Sequence, residues 1–299
     1  MKVLLTGCNG QLGNAILRSK PKTINLISLD RSKLDLSNLS ECRKIIREIK
    51  PDWLINCAAF TNVDEAEKKQ SLAYLINAEA PKIFCEEISK IKGNLLQIST
   101  DYVFSGEKRN KPYLPSDKRN PLGFYGYSKS KAEEAVEEAF KNSKKGLIIR
   151  TSWLMGPLGK NFALKMIKLH SQKKIIKVVV DQIGAPTSTL GLAGVCWAII
   201  LKNNNQMLIN ENEPPILHWS DCGIASWYDV AVAIGEIAMD MGIINRSAKV
   251  IPIKTSEYMT LAKRPAYSVL DCSLTKNSLA VQGIHWRRAL VNILREIQI

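Results

Sequence analysis

Five short apolar runs alternate with segments of helical periodicity across the first half of this chain, and that alternation restricts the fold more than any other feature. The runs are Lys2–Thr6, Ile24–Leu29, Trp53–Cys57, Leu95–Thr100 and Leu147–Arg150, with helical patterns between them that include Glu41–Ile49 and Ser71–Ile91. Strands that alternate with crossover helices predict an α/β fold built on a doubly wound parallel sheet. Ligands of such sheets bind beyond the carboxyl ends of the strands, where Thr6-Gly7 and Thr100 stand. Beyond Thr151 the alternation weakens. Helices are expected at Asn161–Leu169, Thr189–Leu201 and Ser226–Gly242, short strands at Ile175–Val180 and Ile216–Trp219, and a polar loop at Lys202–Gln206. The pattern is regular over residues 1–150 and irregular over 151–299, it shows no internal repeat, and a chain of this length could hold one extended domain or two.

The first run ends in Gly7-Cys-Asn-Gly10-Gln-Leu-Gly13, followed by Ala15-Ile-Leu17, which reads as strand, tight glycine turn and helix. Glycines there permit positive φ and close backbone approach, while the open N–H groups and dipole of the helix start attract a diphosphate. The first gap is one residue longer than in the usual dinucleotide fingerprint. The second run ends at Asp30, about 20 residues beyond the glycines, where an acidic side chain is placed to hold an adenosine ribose.

A second constellation is Tyr125-Gly-Tyr-Ser-Lys129. Downstream, Ala132, Ala135, Val136, Ala139 and Phe140 mark one buried helical face, and Tyr125 and Lys129 extend it backwards. Residues four apart share a face, so the phenol and the ammonium can serve one site. Tyr127 and Lys131 point elsewhere on the cylinder. An ammonium beside a phenol favours the phenolate, so the pair is expected to lower the Tyr125 pKa. Alone, Tyr-x-x-x-Lys also describes a core tyrosine with a snorkelling lysine.

Composition removes several classes. With 299 residues and 45% hydrophobic content the chain can bury a large core. No run approaches the roughly 18 apolar residues of a membrane span, and glycines interrupt the longest candidate, Leu190–Leu201. The opening apolar run breaks at Gly7, unlike a signal peptide, so a cytoplasmic location is expected. Seven cysteines without Cys-x-x-Cys spacing fit reduced thiols, and His170, His218 and His285 are too scattered to form a metal site. The formal charge of +14 comes from lysines interspersed with acids, as in Lys129-Ser-Lys-Ala-Glu-Glu, without a basic tail. Neither a nucleic-acid nor a membrane partner is expected, and a basic surface that attracts anionic nucleotides is the milder account.

Three features together, the glycine loop, Ser99-Thr100-Asp-Tyr-Val-Phe104 and Tyr125-x-x-x-Lys129, resemble the extended short-chain dehydrogenase/reductase superfamily. Further segments resemble the signatures of the dTDP-4-dehydrorhamnose reductase family: Asn56-Cys-Ala-Ala-Phe-Thr61-Asn-Val-Asp64-Glu-Ala-Glu67, Arg150-Thr-Ser-Trp153, Asp181-Gln-Ile-Gly-Ala-Pro-Thr187 and Arg264-Pro-Ala-Tyr-Ser268. They span almost the whole chain in the family's order. The resemblance implies a Rossmann-like NAD(P)-binding domain at 1–150, to which some later segments return, and a mainly sugar-nucleotide-binding domain at 151–299. It implies hydride transfer to the C4 ketone of dTDP-4-dehydro-6-deoxy-L-mannose. Tyr125 would give the proton, Lys129 would tune it and hold the nicotinamide ribose, and Thr100 would bond the substrate oxygen. Gly7, Asn9, Gly10, Gln11, Leu12, Gly13, Asp30, Arg31, Asn56, Ala58, Ala59, Thr61, Tyr125 and Lys129 would line the cofactor. Asp101, Tyr102, Trp153 and Arg264 would face the sugar nucleotide, the last two by stacking and as an anion clamp.

Cofactor choice stays open. Asp30 favours the free 2′-hydroxyl of NADH, whereas Arg31 and Lys33 suit the 2′-phosphate of NADPH, with a slight lean to NADPH. The family is compatible with a homodimer, but members with a magnesium-bridged dimer carry a glutamate where this chain has Asn14-Ala15, so magnesium is doubtful here. The alternatives are a nucleotide-sugar 4-epimerase or dehydratase with tightly held NAD⁺, and a non-catalytic NADP-binding regulatory subunit.

Overall fold

The computed structural model describes residues 1–107, 110–203 and 213–297. Six parallel strands form one sheet: β1 (Lys2–Thr6), β2 (Asn25–Leu29), β3 (Trp53–Asn56), β4 (Asn94–Thr100), β5 (Gly146–Thr151) and β6 (Ile216–Trp219). Their order is β6-β5-β4-β3-β1-β2, so the winding reverses at β1. The crevice of the doubly wound, Rossmann-type sheet therefore opens between the ends of β1 and β3.

Alternation along each strand sends successive side chains to opposite faces. Val3, Leu5, Trp53, Ile55, Leu96, Ile149 and Leu217 pack on one face. That face is covered by α1 (Gln11–Arg18) and α5 (Thr189–Asn203), and the Trp197 indole donates to Ile16 O at 3.2 Å. Leu4, Leu54, Leu95, Ile148 and Ile216 pack on the other face, beneath α2 (Leu39–Ile49), α3 (Ala80–Lys90) and α4 (Phe124–Phe140). The strand at Ile216–Trp219 joins β5 of this sheet instead of standing in the second half, and α5 returns with it.

A separate core lies in the second half. There Phe162–Gln172, Trp227–Asp240 and Trp286–Arg295 pack with paired strands Ile175–Val179 and Lys249–Ile253 around Met166, Ile176, Ile234 and Leu290. Ser226 and Asp229 form a reciprocal capping box at the start of Trp227–Asp240. Among the described residues no helix is long and apolar enough to cross a membrane.

Two local expectations change. The pattern at Ser71–Ile91 predicts one helix, but the chain makes Gln70–Tyr74, a π-helical turn at Leu75–Glu79, and then α3. Pro81 has no N–H to continue the ladder, which accounts for an irregular turn just before it. Of the polar loop expected at Lys202–Gln206, Lys202 and Asn203 belong to α5 and the rest lies outside the described residues.

A buried ion pair ties α4 to the sheet. Glu133 of α4 and Arg150 of β5 are both fully buried; Arg150 donates to Glu133 through Nε at 2.9 Å and Nη2 at 2.7 Å. Ser99 and Arg119 also donate to the same carboxylate. Burial acts to raise its pKa, but Arg150, Ser99 and Arg119 outweigh burial and hold it below the ordinary value. Removing one member strands a buried charge, so Glu133→Ala is expected to lower the unfolding free energy by about 3–5 kcal/mol. Denaturant unfolding checks this; an unchanged midpoint would count against the network as the anchor of α4.

Candidate functional site

Glycine geometry builds one wall of a cleft beyond the strand ends. Gly7 sits at φ +67°, and a Cβ on it would come within 2.8 Å of the Ala58 backbone. A Cβ on Gly13 would meet Gly7 O at 2.2 Å. The loop is therefore pressed against both β3's exit and its own helix. Gly10 precedes α1, no acidic residue stands in the first turn, and the first N–H groups of a helix lack intrahelical acceptors. This is an anion cradle of the kind that holds a dinucleotide's diphosphate.

The cleft measures about 660 Å³, within the range of a ligand site. Gly7, Asn9, Gly10, Gln11, Leu12, Gly13, Asp30, Arg31, Ala58, Ala59, Thr61, Thr100, Asp101, Tyr102, Tyr125, Lys129 and Trp153 all line it. At its outer end Asp30 is held in a turn. One oxygen accepts from Asn9 at 3.0 Å, the other from the Ser32 and Lys33 backbone and the Ser32 hydroxyl. Those bonds, led by the Ser32 hydroxyl, hold its pKa below the ordinary value. Arg31 pairs with Asp35 at 3.2 Å. Ala58 and Ala59 leave room beside the glycine loop. Phe60 is fixed by Asn77 of the π turn, which accepts from Phe60 N at 2.8 Å and donates to Phe60 O and to Ser128 on α4.

At the inner end, β4 delivers Thr100, a short 3₁₀ turn carries Asp101 and Tyr102, and α4 brings Tyr125 and Lys129. Gly123 precedes α4, and Glu67 accepts from Phe124 N at 2.8 Å, which satisfies one of its open donors. Gly126 leaves no space for a Cβ, since Tyr102 O would lie 2.1 Å away, so α4 is seated directly on this turn. The Tyr102 and Tyr125 rings meet edge to face at 5.6 Å. Lys129 is buried and donates to Ile98 O at 2.6 Å. On the outer face Tyr127 stacks on Tyr74, while Lys131 pairs with Glu134.

The electrostatics differ from the expectation of a lowered tyrosine pKa. Burial, with help from the nearby Asp101 carboxylate, pushes the Tyr125 phenol up, and a hydrogen bond with Thr100 only opposes this. Burial brings Lys129 down to about 8, against the pull of Glu133 and Cys57. The ammonium serves the Ile98 carbonyl here, not the phenol. Burial likewise raises Asp101 to about 6. Its Oδ1 accepts from Thr100 at 3.0 Å, and the Ser268 and Thr100 hydroxyls oppose the effect of burial, although no contact of buried Oδ2 among the described residues meets full hydrogen-bond geometry.

Two candidate residues stand off the cleft wall, and a third stands on it with one face covered. Asn56 does not line the cleft; its amide is committed within the sheet, accepting from Thr6 at 2.6 Å and donating to Gln97 at 2.8 Å. Arg264 is one residue removed, donating to the Tyr102 hydroxyl at 3.2 Å and pairing with Asp64 at 2.7 Å. Trp153 does reach the cleft, but Trp227 stacks on it at 3.7 Å and Gly184 packs against its indole. At φ +45°, Trp153 adopts a backbone conformation that a bulky side chain rarely takes.

The cleft also gathers residues the sequence did not single out, among them Asp35, Leu36, Ile76, Ser152, Gly159 and Lys160. Leu36 and Ile76 carry only an apolar-position signal, and Gly159-Lys160 none until the tertiary fold brings their loop across. Among the described residues no group of three or more His, Cys, Asp or Glu is placed to hold a metal. All seven cysteines are free thiols.

The whole chain, residues 1–299, matches the family described as RmlD substrate binding domain. It is 37% identical to the dTDP-4-dehydrorhamnose reductase of Aggregatibacter actinomycetemcomitans, covering 98% of each chain. Among solved structures, a dTDP-4-dehydrorhamnose reductase from Clostridium acetobutylicum superposes with a TM-score of 0.88 at 38% identity, covering 99% of each chain. One from Bacillus anthracis, in complex with NADP, gives 0.87 at 33% identity over 99% of each.

Asp101 yields a pH test. Its folded pKa of about 6 exceeds the ordinary 3.8, so the folded state holds the proton longer and loses stability as pH rises through that window. The difference corresponds to on the order of 3 kcal/mol. In thermal unfolding scans across this range, Asp101→Asn is expected to lose that part of the pH dependence. An identical profile for the variant and the parent would contradict the assignment.

Proposed function

The chain belongs to the dTDP-4-dehydrorhamnose reductase family, and from that premise we propose that it reduces the C4 ketone of dTDP-4-dehydro-6-deoxy-L-mannose to dTDP-L-rhamnose, with NADPH or NADH as reductant. The observation that carries this reading is the meeting of Thr100, Tyr125 and Lys129 on the wall of the same cleft as the glycine loop. Residues 1–150 would hold the dinucleotide and 151–299 would supply mainly the sugar-nucleotide side, with α5 and β6 returning to the first half.

The bound nicotinamide supplies the hydride. The chain's own residues must answer the charge that develops on the ketone oxygen. Tyr125 delivers a proton to that oxygen, and Thr100, beside it, turns its hydroxyl from Asp101 Oδ1 to donate a hydrogen bond to the same atom. A phenol with a raised pKa suits this direction, because it enters the reaction protonated, and a developing alkoxide is more basic than a phenolate. Lys129 exchanges its Ile98 contact for the nicotinamide ribose, and its ammonium stabilises the phenolate left after transfer. Arg264 positions the Tyr102 hydroxyl, which lies on the cleft wall beside Asp101.

The test is oxidation of reduced nicotinamide by the purified protein with enzymatically generated 4-keto sugar nucleotide, with the product identified by mass and sugar analysis. Formation of dTDP-L-rhamnose is the expected outcome, and no turnover with either cofactor would overturn the substrate assignment. Tyr125→Phe is expected to keep cofactor affinity and lose about 10²–10⁴-fold in turnover; full activity would remove Tyr125 from its role. Because Lys129 titrates near 8 and its ammonium is the working form, turnover is expected to fall as pH rises past about 8. A flat profile through that range would separate Lys129 from the limiting step.

A further inference from the structure

A loop from the second half crosses to the glycine loop and brings a lysine with it. Gln11, the first residue of α1, donates through Nε2 to Lys160 O at 3.4 Å and accepts through Oε1 from Asn161 Nδ2 at 2.9 Å. Asn161 also donates to Gly156 O at 2.8 Å and caps the following helix by accepting from Leu164 N at 3.1 Å. The crossing is tight: Gly159 sits at φ +81°, and a Cβ on it would lie 3.0 Å from Gln11 Cγ. Lys160 is thus tethered beside the α1 N-terminus on the cleft wall, exposed, with no carboxylate on its ammonium among the described residues.

Among the described residues three cations line the cleft: Arg31, Lys129 and Lys160. Arg31 stands at the Asp30 end, paired with Asp35, and Lys129 is buried at the Tyr125 end on Ile98 O. Between them, Gly7–Gly13 contains no cation at all. A helix N-terminus carries only about half a positive charge, whereas the diphosphate of a dinucleotide is a dianion. The cradle by itself leaves charge unanswered, and the lysine whose carbonyl accepts from Gln11 lines the same cleft.

We propose that Lys160 binds the diphosphate of the nicotinamide dinucleotide from the side facing the glycine loop, so that cofactor binding joins the second half of the chain to the first. This rests on the reading of the cleft as a dinucleotide site. Lys160 is a point charge on a flexible stem, and it reads the part that NADH and NADPH share. The sugar nucleotide carries a diphosphate of the same chemistry, but the tether to Gln11 places Lys160 at the α1 N-terminus.

The test is direct titration of NADH, NADPH and dTDP against the parent protein, Lys160→Ala and Lys160→Arg, with thermal unfolding to verify folding. Lys160→Ala is expected to weaken NADH and NADPH alike by about tenfold, to flatten the salt dependence of both dissociation constants, and to leave dTDP unchanged. Lys160→Arg is expected to restore most of the loss, which a merely structural role for the loop would not do. Unchanged affinity for both cofactors would overturn the proposal. A loss confined to NADPH would overturn it too, placing the lysine on the 2′-phosphate, and so would a loss confined to dTDP. If the parent binds neither cofactor, the reading of the cleft itself fails. That result is distinct from a parent that binds and a variant that binds equally well.

Discussion

The contact between Gly7 and the Ala58 backbone is the constraint on which the site depends. The strand order reverses at β1, so the ends of β1 and β3 have a crevice between them that no crossover connection fills. A side chain at Gly7 would occupy the space next to Ala58, and one at Gly13 would push α1 off its own loop. With glycine at both positions, the helix starts immediately beyond the sheet and its open N–H groups point along the crevice. The small residues Ala58 and Ala59 extend the same free surface. Backbone proximity, rather than any charged side chain of the loop, makes this end of the cleft suited to an anion.

The opposite end rests on charge burial. Lys129 and Glu133 lie one turn apart on the inward face of α4, which is also the face that packs Val136 and Phe140 into the core. Two charged groups on a core-facing stripe are costly unless answered. Arg150 answers Glu133 from β5, and Ile98 O answers Lys129 from β4. Asn77 then links α4 through Ser128 to the Phe60 loop, so the helix that carries Tyr125 is fixed to the loop beyond β3 as well as to the sheet. The π turn that presents Asn77 is the irregularity that makes this link.

Much of the architecture is legible because it follows from local pattern. The apolar runs for β1 to β5, the glycine spacing and the inward stripe of α4 are all set by residues close in sequence, and the cleft gathers nearly every candidate they mark. What local pattern does not carry is set by partners distant along the chain. Ile216–Trp219 reads as a strand, but its pairing with β5 depends on which edge is free. Asn56 reads as cofactor-facing until Thr6 and Gln97 claim its amide, and Arg264 reads as an anion clamp until Asp64 claims its guanidinium. Trp153 keeps its place but not its freedom, since Trp227 covers one face of the indole. Gly159 and Lys160 carry no local signal, because their meaning comes from a contact with Gln11, about 150 residues earlier.

The acid and base inventory of the inner cleft follows from desolvation acting on three neighbours of different charge type. Burial disfavours every ionised form, so it raises Asp101 and Tyr125 and lowers Lys129. A phenol that holds its proton, a lysine whose ammonium is easily relieved, and a carboxylate drawn toward its protonated form together describe a site that desolvation biases toward neutral groups. The sequence pair Tyr125 and Lys129 suggests the reverse emphasis, a phenolate made stable in advance by its lysine. The difference lies in Ile98 O, which takes the ammonium, and in burial, which the phenol meets with only the Thr100 hydroxyl to oppose it.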